Sequence, residues 1–263
     1  MAYAAFLVEI MPLIELRNVS KKFGRLIVLS RLNLNIEVGQ SLVVIGASGT
    51  GKSVLLKHIV GLLKPDAGEV WFDGQEIDKL PERKLDDVRT RFGFLFQMGA
   101  LFDSMTVAEN VGFPLVEHTQ KTPQEVETIV MQKLKMVGLT DAAKKMPAEL
   151  SGGQKKRVAL ARAIALDPDV ILYDEPTTGL DPIRADVINE LILKLQRELK
   201  VTSIVVTHDM NSAFKVANRI VMLHEGHIVF DGTPQEIQKS QEEVVKRFVL
   251  GEASEQELAT LGH

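Results

Sequence analysis

A glycine-rich segment between a predicted strand and a predicted helix constrains the fold of this chain most strongly. The segment matches G-x-x-x-x-G-K-[ST] at every fixed position, and its residues are Gly46, Ala47, Ser48, Gly49, Thr50, Gly51, Lys52 and Ser53. The apolar run at 42–45 before it predicts a buried strand, and the apolar spacing over 55–60 after it predicts a helix. This order predicts an α/β fold with the segment at the edge of a sheet.

The same segment has the chemistry of a phosphate cradle. Glycines let the backbone wrap around an anion with its N–H groups pointing inward, and the following helix presents its positive end. Lys52 adds a positive charge for terminal phosphates, and Ser53 offers a hydroxyl to Mg²⁺. A glycine-rich turn without a ligand is the alternative, but the complete motif in this context favours a phosphate site.

Two acidic residues follow another short apolar run. Asp174 and Glu175 come directly after 170–173, where a buried strand brings charge to the ligand-binding edge of a sheet. We expect Asp174 to hold Mg²⁺. Alternation along the pleat would point Glu175 the other way, where it could activate an attacking water. The alternative is a pair of solvated acids before Pro176.

Two weaker candidates stand at other predicted strand ends. Gln97 follows the apolar run 92–96, and His208 follows the predicted strand 203–206. A lone glutamine or histidine is more often solvated or satisfied within the core. Their placement at the predicted nucleotide edge nevertheless favours a role in the site.

A second helix start has the features of an anion site. Ser151 precedes Gly152, Gly153 and Gln154 and a predicted helix over 155–166. Ser151 can cap this helix, and the glycines leave its first N–H groups uncovered. One nucleotide does not need two such helix ends, so this one could serve a second nucleotide. An ordinary helix start is the alternative.

Composition limits the class of protein. The chain has 263 residues, of which 45% are apolar and 25% charged, as in an ordinary globular protein. A net charge of −4 argues against nucleic acid as the main partner. The absence of cysteine excludes disulfides and thiol chemistry. No apolar run approaches the roughly 20 residues that span a bilayer, so we expect a cytosolic chain with any membrane role acting through a partner.

Strand and helix signals alternate along the chain, with antiparallel β signals at both ends. Residues 32–37 alternate as a half-buried strand, and 220–223 and 227–230 predict a hairpin. Helix signals dominate about 100–165, which predicts a helical lobe inserted into the core. We expect one domain over 12–240, an N-terminal extension at 1–11 and a C-terminal extension at 241–263.

These residues together resemble the ATP-binding subunits of ATP-binding-cassette (ABC) transporters, over nearly the whole chain. The sequence Leu-Ser-Gly-Gly-Gln at 150–154 beside a full phosphate loop is specific to that superfamily. The resemblance implies a P-loop NTPase (RecA-like) core with an antiparallel β subdomain and an inserted helical subdomain. It also implies ATP hydrolysis with ATP and Mg²⁺ bound.

The resemblance assigns roles to individual residues. It implies a catalytic group of Lys52, Gln97, Glu175 and His208. It implies magnesium contacts from Ser53, Gln97 and Asp174. It implies nucleotide contacts from Phe23, which would stack on adenine, and from 46–53, Gln154 and Asp181. Across a head-to-tail homodimer it implies further contacts from Ser151 and Gly153.

The segment 94–119 is similar to one branch of the family, the phospholipid-transport ATPases of the maintenance-of-lipid-asymmetry system. That branch implies a separate membrane permease, a partner with a mammalian-cell-entry (MCE) domain, a small STAS-like regulator and a place on the cytoplasmic face of the bacterial inner membrane. A transporter for an amino acid or a lipoprotein, a soluble non-transport cassette ATPase and a non-catalytic nucleotide-binding module are the alternatives. Intact Lys52, Glu175 and His208 argue against the last.

Overall fold

The computed structural model describes residues 11–253. Within that range the strands are β1 (Ile14–Phe23), β2 (Leu26–Ile36), β3 (Ser41–Ile45), β4 (Ala67–Phe72), β5 (Gln75–Glu76), β6 (Phe92–Leu95), β7 (Val170–Asp174), β8 (Thr202–Val206), β9 (Arg219–His224) and β10 (His227–Gly232). The α-helices are α1 (Lys52–Ile59), α2 (Glu82–Arg89), α3 (Val107–His118), α4 (Pro123–Met136), α5 (Gly152–Ala163), α6 (Pro182–Leu199), α7 (Met210–Val216), α8 (Pro234–Ile237) and α9 (Glu243–Leu250). Of the predicted extensions, residues 1–10 and 254–263 lie outside the described range, whereas residue 11 and residues 241–253 lie within it.

A six-stranded sheet forms the centre, in the order β10-β9-β3-β8-β7-β6. Strands β3 and β6 to β9 run parallel, and β10 pairs with β9 as the predicted antiparallel hairpin. Every residue of β3 is buried, because both faces of the sheet are covered. The carboxyl ends of β3, β6, β7 and β8 therefore meet at one edge of the sheet, where the predicted site residues follow them.

Each face of β3 joins a different core. Leu42 and Val44 pack in a core shared with α1 and the second sheet, whereas Val43 and Ile45 pack against residues of α3 to α7. This alternation follows from the period of two along a strand. The result is a layer of the second sheet with α1 and α2 on one side of the central sheet and a layer of α3 to α7 on the other.

The second sheet is antiparallel, in the order β2-β1-β4-β5. Its β1–β2 pair contains register shifts, and Asn18 and Arg31 have positive φ. These irregularities twist and bend the pair. The turn between the two strands begins after Phe23 and lies at one end of this sheet.

Helices α3, α4 and α5 are consecutive in the sequence and pack against one another. Helix α5 also packs against β6. The predicted cap at Ser151 forms, and Thr122 and Thr233 cap two other helices in the same way. Each side chain accepts a hydrogen bond from the backbone N–H three residues later. Such bonds satisfy one of the free N–H groups at a helix start. The limits of the helical subdomain at about 100–165 stay a prediction.

The predicted C-terminal segment contains α9 in its described part. Val245 of α9 is fully buried, and Val244, Phe248 and Val249 pack against the same core. Helix α9 is therefore anchored to the rest of the chain by its apolar face. No helix within residues 11–253 combines the length and apolar character needed to cross a bilayer.

Candidate functional site

The glycine-rich loop connects β3 to α1 in the conformation that its sequence requires. Gly46, Gly49 and Gly51 have φ values of 153°, 81° and 98°. A Cβ at Gly51 would lie 2.7 Å from Val28 Cγ1, and one at Gly46 would lie 2.4 Å from the Leu223 carbonyl oxygen. Only glycine satisfies both the positive φ and the close approach at these two positions.

Lys52 lies inside this loop. Its ammonium donates hydrogen bonds to the carbonyl oxygens of Gly46 and Ala47, each at 2.8 Å, and the residue is only 6% exposed. Burial lowers the pKa of Lys52, while the charges of Glu175 and Asp174 oppose that shift. The positive charge of Lys52 thus adds to the positive end of α1, and both favour the binding of an anion at this loop.

Ser53 and Asp174 join the start of α1 to the end of β7. The Ser53 hydroxyl donates to Asp174 Oδ1 at 2.9 Å. Burial raises the pKa of Asp174, and the Ser53 hydrogen bond opposes the shift. A partly buried carboxylate beside a hydroxyl is a pair of hard oxygen ligands of the kind that Mg²⁺ takes.

Glu175 lies at the centre of the polar cluster. Its carboxylate accepts from the hydroxyls of Thr178 at 3.2 Å and Thr207 at 3.4 Å, and Oε2 lies 2.9 Å from Nδ1 of His208. The glutamate is 9% exposed, whereas the His208 side chain is 54% exposed. The arrangement fixes a carboxylate that could accept a proton at the edge of the sheet.

The pleat argument for the orientation of Glu175 is wrong. Strand β7 ends at Asp174, and Glu175 has a φ of 50°, outside the range of a strand. Its backbone N–H donates to the carbonyl oxygen of Val206 at 2.9 Å. A turn held by the neighbouring strand β8, and not strand alternation, places this side chain beside His208.

Gln97 and Phe23 lie at the margins of the cluster. Gln97 follows β6, which pairs with β7, and its exposed side chain makes no hydrogen bond within residues 11–253. Phe23 is 49% exposed at the end of β1 and pairs with Leu26 across the turn. Because Val28 touches the phosphate loop at Gly51, this turn lies on the same side of the molecule as the loop.

The predicted second anion site forms a separate cluster. Ser151 caps α5, its backbone N–H donates to Gln154 Oε1 at 2.9 Å, and Ser151 and Gly152 are exposed. Asp181 caps α6, and a Cβ at Gly153 would lie 3.9 Å from Arg184 Cδ of that helix. Among the described residues, no hydrogen bond joins this cluster to the phosphate loop.

Sequence reasoning missed Lys156 and Thr207. Lys156 is 6% exposed, and burial lowers its pKa to about 8 while Glu175 opposes the shift. Helical spacing places Lys156 on the same face as the buried Ala159 and Leu160, and a lysine on a buried face was a signal of a specific contact. Thr207 follows β8 directly and carried no comparable signal.

Residues 29–178 match the family described as ABC transporter. The MlaF protein of Haemophilus influenzae, an intermembrane phospholipid transport system ATP-binding protein, is 45% identical over 92% of this chain and 91% of its own length. The probable ribonucleotide transport ATP-binding protein mkl of Mycobacterium leprae is 44% identical over 90% of this chain and 69% of its own.

Solved structures give the same fold. The dimeric ATP-binding cassette MJ0796 bound to ADP and Pi has a TM-score of 0.77 at 37% identity, covering 84% of this chain and 98% of that one. The cbiO1 protein from Clostridium perfringens, part of the transporter complex cbiONQ, has a TM-score of 0.80 at 30% identity, covering 95% and 98%. The predicted fold class is confirmed.

The fold and the loop define a phosphate-loop ATPase. The chain belongs to the ABC transporter family, and the predicted resemblance is confirmed. It is an ATP-binding subunit that hydrolyses ATP.

Proposed function

We propose that two copies of this chain close head to tail on two ATP molecules and drive phospholipid transport through a separate permease. Each nucleotide would lie between the phosphate loop of one subunit and the Ser151 helix start of the other. The subunits would lie on the cytoplasmic face of the bacterial inner membrane. They would be held there by the permease.

The observation that carries the dimer is that, among the described residues, no hydrogen bond joins the two anion-binding features within one chain. The phosphate loop carries Lys52 and adjoins the Asp174–Glu175 pair, whereas Ser151 and Gly152 are exposed in the other cluster. An exposed, capped helix start with uncovered N–H groups can bind an anion brought by a partner. A dimeric relative of this fold supports the arrangement.

The proposed residue roles follow from the geometry of the cluster. Lys52 would bind the terminal phosphates, and Phe23 would stack on adenine. Glu175 would take a proton from the attacking water, and His208 would hold the Glu175 carboxylate and reach the γ-phosphate from its exposed position. From the partner, Ser151, Gly153, Gln154 and Asp181 would complete the site.

Magnesium belongs to the same proposal. Ser53 and Asp174 supply two oxygen ligands 2.9 Å apart, and Gln97 would approach from the end of β6. Within residues 11–253 there is no group of three or more His, Cys, Asp or Glu side chains suited to a metal. A magnesium ion held by one carboxylate, one hydroxyl and nucleotide phosphates fits this donor set. It would neutralise charge on the phosphates.

An apolar groove supports the permease partner. It has a volume of 410 Å³ and lies between β6, the segment after it and α3, with Phe94, Phe96, Phe102 and Phe113 in its lining. Phe96 and Phe102 are 39% and 41% exposed on either side of Gln97 and Met98. Exposed aromatic side chains of this kind suit an apolar partner surface. A helix of the permease would therefore bind in this groove, beside Gln97 and close to the nucleotide.

We also infer that 12–240 form the ATPase unit, with 100–165 as its helical subdomain and 241–263 as a C-terminal extension. An MCE-domain protein and a STAS-like regulator are proposed as further partners on the strength of segment 94–119 and the MlaF relatives. The mkl relatives, named for ribonucleotide transport, favour a second candidate in which the cargo is a ribonucleotide.

Reconstitution tests the cargo. The chain and its co-purified permease would be placed in proteoliposomes with a fluorescent phospholipid, and ATP-dependent movement of the lipid would be measured. We expect movement that requires ATP and is lost in a complex carrying Lys52→Met. ATP-dependent passage of a labelled ribonucleotide with no movement of lipid would contradict the phospholipid proposal.

A further inference from the structure

We propose that Lys156 is a positioning residue that ties the Ser151 helix start to the hydrolytic loop 175–178 of the same subunit. The inference rests on the proposed function, in which Ser151 would contact the nucleotide held by the partner's phosphate loop. Glu175 would act on the nucleotide held by the phosphate loop of its own subunit. Lys156 would therefore couple the two ATP sites of the dimer.

The contacts of Lys156 are unusual for a lysine. Its ammonium donates to the carbonyl oxygens of Glu175 at 3.2 Å, Pro176 at 2.7 Å and Thr178 at 2.8 Å. An ammonium has three N–H donors, so these three carbonyls use all of them. Burying a charged group is costly unless it is hydrogen-bonded. The ammonium therefore holds the turn after β7 in one arrangement.

The turn that Lys156 holds carries the hydrolytic carboxylate. Glu175 has a positive φ, and its side chain reaches Thr178 within the same turn. Loss of the ammonium would release three carbonyl oxygens and allow this turn to relax. The carboxylate would then lose its fixed position relative to the attacking water, while the phosphate loop would be untouched.

The segment from Ser151 to Lys156, at the start of helix α5, is rigid. Ser151 and Lys156 stand five positions apart at the start of α5, about 7.5 Å along a helix with a rise of ~1.5 Å per residue. The helix start also lies close to the chain just after this loop, since a Cβ at Gly152 would lie 3.8 Å from Leu180 Cδ2. A displacement of the helix start is therefore passed to the hydrolytic loop.

Lys156→Met tests the tie, with Lys133→Met as its matched control. Lys133 is also 6% exposed, but it lies in α4 and pairs with Asp167, away from the loop. Steady-state ATP hydrolysis would be measured together with equilibrium binding of a fluorescent ATP analogue. Thermal unfolding would report the stability of each variant.

We expect Lys156→Met to lower kcat on the order of 10- to 100-fold, the scale of a misplaced catalytic group. The affinity for nucleotide should stay within about twofold of wild type, because Lys156 does not touch the phosphate loop. The Hill coefficient for ATP should fall towards one. Lys156→Gln, whose amide can donate to two of the carbonyls, should retain more kcat than the methionine variant.

A kcat for Lys156→Met equal to that of Lys133→Met overturns the proposal. If the methionine variant does not fold, the glutamine variant carries the same comparison. Ser151→Arg distinguishes a failure of the shared-site dimer from a failure of the Lys156 connection alone. Normal hydrolysis by Ser151→Arg contradicts the shared-site dimer itself, whereas an inactive Ser151→Arg beside a fully active Lys156→Met contradicts only the tie.

Discussion

The carboxylate of Glu175 lies 2.9 Å from Nδ1 of His208, and the two residues follow the neighbouring strands β7 and β8. Two threonine hydroxyls, from Thr178 and Thr207, donate to the same carboxylate. The Glu175 carboxylate is therefore held by side chains from the two loops that follow β7 and β8. A change in either loop moves the same carboxylate.

Glu175→Gln should keep much of this hydrogen bonding while removing the basic carboxylate. We expect turnover to fall on the order of 10²–10⁴-fold, the usual contribution of a general base. ATP should still bind, so the dimer should accumulate in its closed form. Phosphate release and size-exclusion chromatography with ATP would measure the two effects.

Glu198→Gln, at an exposed position near the end of α6, is the matched control and should hydrolyse ATP normally. Wild-type turnover in Glu175→Gln would remove Glu175 from the role of base.

Asp174→Asn should stabilise the nucleotide-free protein at neutral pH. Burial raises the pKa of Asp174, so its charged form is less stable in the folded chain than in the unfolded chain. This cost is absent below the unfolded-state pKa and is present once the pH exceeds the folded-state pKa. The gain in Tm should therefore be seen at pH 7 and should vanish near about pH 4.

The asparagine can still accept from Ser53, so the comparison isolates the charge. The same variant should lose the extra stabilisation that Mg²⁺ with ATP gives the wild type. Asp141→Asn, an exposed acid, serves as the control and should change neither quantity. A lower Tm for Asp174→Asn at pH 7 would contradict this account of the carboxylate.

Gly51→Ala should weaken ATP binding through strain in the phosphate loop. The position has a φ of 98° and an added Cβ would lie 2.7 Å from Val28 Cγ1. Strain of about 1–3 kcal/mol corresponds to roughly a 5- to 150-fold loss of affinity if the loop must shift to relieve it. Isothermal titration with ATP would measure the loss.

Gly39→Ala provides the comparison, since Gly39 also has a positive φ but open space around it. It should lower stability without changing the affinity for ATP. Equal affinities for the two alanine variants would contradict the steric argument.

The parts of the fold that depend on local sequence could be predicted. The phosphate loop and the caps at Thr122 and Ser151 are made by residues within a few positions of one another, so their patterns are visible in the chain. The strand–helix alternation follows from hydrophobic periodicity in the same way. Strand β1 and the first half of β2 were missed, because the positive φ at Asn18 and Arg31 interrupts the alternation of apolar residues.

Features set by contacts distant in sequence could not be predicted. The turn at Glu175 depends on a bond to Val206, and the pairing with His208 depends on the order of β7 and β8 in the sheet. Lys156 makes its contacts with carbonyl oxygens, which any residue supplies. No side-chain pattern in the sequence marks such a partner.

The central claim is that each ATP site is shared between two subunits, and mixing two inactive variants tests it most directly. Lys52→Met damages the phosphate loop, and Ser151→Arg damages the opposite helix start. In a head-to-tail dimer of one copy of each, both lesions fall in one site and the other site is intact. We predict that mixing restores hydrolysis, up to about a quarter of wild type for random pairing and independent sites. Hydrolysis that stays at the level of the separate variants, although mixed dimers form, would contradict the account.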